Sequence, residues 1–197
     1  MYRLVCVLSL LWLAALGATA RHAHHAAPDD VTFKVGGLQF TLPGSWKAQA
    51  PETAARAGQW NVPPPDETPA GDPVQVVVFF FGPNVGGTVK QNIDGWAALI
   101  SSPSPPASAT PQKRTAGGHP VSEVLFSGTY AQESPEPGLP PAPRSGYALW
   151  GAILENGGGN IYWRATGPAA QVATLAPVLD KVLDSVKPVP ATPAPSP

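Results

Sequence analysis

Residues 74–100 read VQVVVFFFGPNVGGTVKQNIDGWAALI, and this stretch decides the fold class. From Val74 to Phe81 every residue but Gln75 is β-branched or aromatic. Such a run needs cover on both faces, which predicts a central strand; an edge strand would alternate apolar with polar. Gly82, Pro83, Asn84, Gly86 and Gly87 then break the chain, each tolerating a turn for its own backbone reason. Thr88 followed three residues later by Gln91 has the capping-box pattern of a helix start. Val89, Ile93, Trp96 and Ile100 recur at helical spacing and predict one apolar stripe, with the helix stopped by Ser101, Ser102 and Pro103. Gly95 inside it costs about 1 kcal/mol relative to alanine, which predicts a close backbone approach or a bulky neighbour there.

The 197 residues suffice for one domain with a substantial core. At the N-terminus Arg3 precedes the apolar run 4–16 and the small residues Ala18-Thr19-Ala20. This is the pattern of a secretory signal over 1–20 cleaved after Ala20, with a retained N-terminal anchor as the alternative. No later segment reaches the roughly 20 apolar residues a membrane span needs, so no stable span is expected in the mature chain. The single cysteine, Cys6, falls inside the signal. The mature chain then lacks thiol and disulfide, which removes thiol catalysis and cysteine-ligated metal. Without Arg3, 11 of the 12 basic residues face 13 acidic ones, a net charge of −2, and nucleic acid is excluded as a partner.

Outside the central stretch, residues 21–30 carry His22, His24 and His25 without apolar periodicity and read as a flexible lead-in. Val31, Phe33 and Val35, then Leu38, Phe40 and Leu42, alternate around Gly36-Gly37 and predict a hairpin, with Trp46 placed to lid the core. Residues 55–62 form a weaker strand candidate, and 113–116 a short one. In 121–131, Val124, Phe126, Gly128 and Tyr130 share a face. Residues 147–155 and 161–166 predict a second hairpin around the Asn/Gly turn 156–160.

Gly167-Pro168 opens a last helix with proline at its first position, and Val172, Leu175, Leu179, Val182 and Val186 give its stripe. Pro177 predicts a kink or two consecutive helices. The tail 188–197, PVPATPAPSP, favours extended, disordered polyproline. Three proline-rich connections, 63–73, 101–111 and 133–145, have little capacity for regular structure, and alternating strand direction would bring all three to one end.

Short strand connections with two helices indicate an α+β domain over 31–187, an antiparallel sheet flanked by helices. The pattern Phe40-Thr41-Leu42-Pro43 leading to Trp46, then Phe81-Gly82, Gly86-Gly87 and Asn92-Ile93 before Trp96, resembles secreted bacterial proteins of the Mog1/PsbP-like fold. Gly128-Thr129-Tyr130, residues 158–163 and Thr166-Gly167-Pro168 before a helix ending near Ser185 are similar to that family's closing hairpin and helix. The resemblance implies a single α/β/α sandwich serving binding or assembly in the cell envelope. Family members carry a basic residue immediately before the helix tryptophan, where this chain has Gly95, so no ligand role is carried over to that position.

No constellation compels a chemistry. The three N-terminal histidines are spaced closely enough to share a metal but have no fixed surroundings. His119 sits in a glycine turn, no nucleophile turn accompanies Ser122 or Ser127, and Glu123 and Glu155 read as single solvent-facing carboxylates. Gly86-Gly87 before a helix could seat an anion but lacks a phosphate loop's lysine. Trp46, Trp60, Trp96, Trp150 and Trp163 could line an apolar groove, and Tyr162, Trp163 and Arg164 form the best surface platform. The expectation is a secreted or periplasmic binding module for a protein or small ligand, without catalytic residues, cofactor or metal; the alternative is a secreted hydrolase.

Overall fold

The computed structural model describes residues 29–64, 72–104, 110–132 and 142–190, the side chains at 102–104, 132 and 142 excepted. The signal segment, the histidines at 22, 24 and 25 and the tail beyond 190 lie outside the described residues. In chain order the elements are β1 (Val31–Val35), β2 (Leu38–Leu42), β3 (Lys47–Ala48), β4 (Arg56–Val62), β5 (Val74–Phe80), α1 (Val89–Ala98), β6 (Ile100–Ser104) and β7 (Gln112–Ala116). They continue with β8 (His119–Gln132), β9 (Ala142–Leu154), β10 (Ile161–Pro168), α2 (Ala169–Asp184) and β11 (Lys187–Pro188).

The apolar run at 74–80 occupies the interior of an eight-stranded antiparallel sheet ordered β3-β4-β5-β10-β9-β8-β6, with β7 also pairing β8. Alternation along each strand divides the core in two. On β9, Leu149 and Ile153 face α1 with Ile93, Trp96, Phe126 and Tyr162. Trp150, Ala152 and Leu154 face the opposite way, toward Val172, Leu179 and Leu183 of α2. The helices thus cover opposite faces of one sheet, an α+β sandwich. Leu179 and Leu183 are fully buried, each contributing about 1.5–3 kcal/mol through removal from water.

The first hairpin forms as predicted, Gly36 and Gly37 both at positive φ, 58° and 77°. It does not join the large sheet. With β11 it makes a separate three-stranded sheet on the α2 side, its Val35, Leu38, Phe40 and Leu42 buried in the α2 core. The start of the proline-rich tail is therefore ordered: Lys187 and Pro188 pair with Gln39 and Leu38, and the Val189 amide donates to the Gly37 carbonyl at 2.9 Å.

Three local expectations are corrected. Helix α1 ends at Ala98, and Ile100, expected on its stripe, instead begins β6 opposite Tyr130, buried in the same core. Pro103 fits that strand because the register shifts between Ser101 and Ser104, an irregularity where a missing amide is tolerated. Helix α2 is one helix through Pro177 rather than two, and Pro168 is its N-cap rather than its first helical residue. Ala173, whose carbonyl loses its partner at Pro177, is solvent-exposed, as is Pro177 itself, so water can take the unmet bond. Finally, strand directions bring the β4–β5 and β8–β9 connections to one end, while the β6–β7 connection leaves β8 level with Ser127 and returns level with Glu123, partway along that strand.

Candidate functional groove between β8 and α2

Along β8, Val121, Glu123 and Leu125 point to the α2 face, cross-strand from Leu154, Ala152 and Trp150 of β9. Val121 is closed over by the core, but Leu125 remains 42% exposed. Beside Leu125 a groove of about 430 Å³ opens, lined by Thr110, Gln112, Glu123, Val124, Leu125, Trp150, Ala176 and Asp180. Its floor is the buried Trp150 with Leu125 and Ala176. Both charged residues lining it are carboxylates.

The carboxylates belong to a cluster built by helical and strand periodicity. Asp180 and Asp184 lie one turn apart on α2, and Arg114 on β7 reaches across to them. Its Nε donates to Glu123 Oε1 at 2.8 Å, Nη1 pairs with Asp184, and Nη2 lies 3.6 Å from Asp180 Oδ1. That Oδ1 is buried and accepts no hydrogen bond from the described residues. One guanidinium therefore serves three acids. Burial pushes the Glu123 carboxyl above the usual carboxylate range; Arg114 opposes this, and the two aspartates add to the rise. Burial pulls the Arg114 guanidinium down, but Glu123 and Asp184 outweigh it and hold the group above its ordinary value. Both groups are thus raised, Glu123 because burial outweighs its one ion pair and Arg114 because its carboxylate partners outweigh burial.

The platform expected at Tyr162, Trp163 and Arg164 does not form. Neighbouring residues on β10 face opposite sides, and Trp163 is wholly buried against the edges of Phe33 and Phe40, with ring centroids 6.1 and 5.1 Å away. Tyr162 is buried beneath Phe81, its hydroxyl 3.4 Å from the Gly87 carbonyl and its phenol pushed up by burial. Only Arg164 reaches the surface, half-buried with its guanidinium 5.3 Å from the Phe79 ring centre.

Other sequence candidates resolve into structural roles. Thr88 and Gln91 exchange both capping-box bonds, and Asn92 Nδ2 donates to the Gly86 carbonyl at 2.7 Å, so the α1 start is occupied by its own side chains. His119 Nδ1 lies 3.2 Å from the Glu155 carbonyl. Glu123, expected to face solvent, is buried and ion-paired, whereas Glu155 is exposed. Of the tryptophans, Trp150 is the one that lines the groove. Among the described residues no three histidine, cysteine or acidic side chains are placed to hold a metal ion.

No protein-family model matches the sequence, and no curated protein does. Similar solved structures include a protein of Bacteroides thetaiotaomicron VPI-5482 at 10% identity and a TM-score of 0.47, with 83% of this chain covered. The chain spans 49% of that protein's length. Cyanobacterial PsbP (CyanoP) of Synechocystis sp. PCC 6803 is similar at 12% identity and a TM-score of 0.46, over 91% of this chain and 99% of that one. LpqN of Mycobacterium tuberculosis, a protein involved in cell envelope biogenesis, is similar at 15% identity and a TM-score of 0.47, over 78% and 83%. A PsbP protein thus stands among the structural neighbours. At these identities and TM-scores the likeness assigns no activity.

The α2 side of the groove carried a signal in the sequence. Ala176, Asp180 and Asp184 recur every four residues, which sets one stripe beside the apolar one. Arg114 had no such mark: its role depends on β7 pairing with β8, a contact that spacing does not reveal.

Proposed function

We propose that this chain is a secreted, non-enzymatic binding module of the cell envelope that holds its ligand in the groove between β8 and α2. The observation that carries this reading is the exposed Leu125 beside Trp150, an apolar floor left open to solvent. Ligand sites set polar groups beside apolar surface, and here Thr110, Gln112, Glu123 and Asp180 adjoin Val124, Leu125, Trp150 and Ala176. Binding is favoured over hydrolysis because an acid–base pair needs two groups free to exchange protons with substrate. Here Glu123 is tied to Arg114 by a direct ion pair. Secretion rests on the signal pattern at 1–20, and among the described residues no helix is long and apolar enough to cross a membrane.

The test is site-directed photo-crosslinking in the native envelope fraction, with a benzophenone side chain at position 125 or, on the far side of the sheet, at position 94. Discrete adducts from 125 and none from 94 are expected. Hydrolysis of an ester, peptide or glycoside that disappears in Glu123→Gln would replace the reading with the enzymatic one.

A further inference from the structure

We infer that the groove takes a lysine- or arginine-bearing segment of a partner protein, the cation seated against Asp180 and an adjoining apolar side chain laid on Leu125 and Trp150. The inference rests on the binding reading above and names its ligand class. Three features select this occupant together.

The first is charge. Glu123 and Asp180 line the groove, and among the described residues no basic one does. The nearest cation, Arg114, is shared among Glu123, Asp180 and Asp184, so the cluster keeps two negative charges when its acids are ionised. An anionic ligand would meet repulsion; a cationic one relieves it.

The second is an unmet bond. Asp180 Oδ1 accepts no hydrogen bond from the described residues, since Arg114 Nη2 stays 3.6 Å away, and the side chain is 45% exposed, free to turn its carboxylate toward the groove. An incoming ammonium or guanidinium would supply a charge-assisted bond that Arg114 does not make. A neutral apolar ligand would leave the oxygen as it is.

The third is the floor. The carboxylate adjoins apolar surface, and lysine and arginine side chains pair an apolar stem with a charged head. The groove, at about 430 Å³, is near the small end of ligand pockets, a size suited to one or two side chains of a polypeptide. A partner residue next to the cation would cover Leu125, as anchors at protein interfaces do.

The experiment is calorimetric titration of the mature chain with three acetylated, amidated hexapeptides, alternating leucine with lysine, with serine or with glutamate. The lysine peptide is expected to bind more tightly than the serine peptide and the glutamate peptide not at all. Asp180→Asn, nearly isosteric at a half-buried position, should weaken the lysine peptide about tenfold, the scale of one charged hydrogen bond. Asp94→Asn, exposed on α1 and paired with Lys90, should leave it unchanged. Circular dichroism confirms that both variants fold.

Equal binding of all three peptides, no binding of the lysine peptide, or an unchanged affinity in Asp180→Asn would each overturn the inference. The photo-crosslinking result could still stand in those cases, so failure of the ligand class is separable from failure of the binding reading. A dimer in sedimentation that is lost in Asp180→Asn would make the occupant a second copy of the chain, which also overturns it.

Discussion

Replacing Gly151 with alanine puts the packing of α1 on the sheet to a direct test. Gly151 lies on β9 between Arg164 of β10 and Val124 of β8, and the Trp96 ring rests on it. A β-carbon there would stand 2.4 Å from Trp96 Cε3 and 2.5 Å from Cζ3. Comfortable carbon contacts begin at roughly 3.5 Å, so the ring must lift by about 1 Å or the strand must bend. Neither is easy, because Trp96 is buried among Ile93, Leu149 and Ile153 and β9 is paired on both sides. Overpacking of this kind costs about 1–3 kcal/mol, with Tm falling by about 2–4 °C for each kcal/mol in a chain of this size. Urea unfolding followed by tryptophan fluorescence measures it. In a cycle with Trp96→Leu, the smaller side chain should accept the new methyl and recover about 0.5–3 kcal/mol relative to additivity. A Gly151→Ala protein as stable as wild type, or an additive cycle, would show that the ring does not sit on β9.

Three further substitutions probe separate parts of the account. Gly95→Ala should raise stability by about 1 kcal/mol, because the position is helical and exposed and no heavy atom lies within 4 Å of the added carbon; a loss in thermal melts would mean that the glycine is needed. Arg114→Met should cost about 2–3 kcal/mol in urea unfolding, less than the 3–5 of a fully buried pair, since Asp180 and Asp184 are 45% and 57% exposed; an unchanged midpoint would refute its bridging role. Because the folded Glu123 pKa is raised, the native state binds its proton more tightly than the unfolded chain. Wild type should therefore gain stability relative to Glu123→Gln as pH falls through the raised value toward the ordinary 4.5, and level off below it. A gain on raising the pH instead would reverse the sign of the argument.

The local features legible in the sequence were those whose cause is local. The buried run at 74–80, the Thr88/Gln91 cap, the Gly36-Gly37 turn and the α2 stripe each follow from backbone sterics or one periodicity, and each is present. What escaped was pairing between distant segments. Nothing in Ile100 distinguishes the last residue of a helix stripe from the first residue of a strand, because both bury the same side chain in the same core. Serine and proline at 101–104 oppose regular structure by propensity, yet the edge of β8 offers backbone partners that override it. The hairpin at 31–42 was legible but its separate sheet was not, since that depends on Lys187 and Pro188 returning to β2. At the candidate site strand alternation already separates Trp163 from Tyr162 and Arg164; that both faces of β10 are covered there depends on packing by distant segments.

The groove itself is tested most directly by amide and indole chemical-shift mapping of the mature chain with the leucine–lysine peptide. The account predicts that the Trp150 indole and the amides of Leu125, Ala176 and Asp180 move together and saturate with one affinity. Shifts concentrated at Arg164 or around Phe81 and Val85, with the Trp150 indole unmoved, would place binding elsewhere and contradict it.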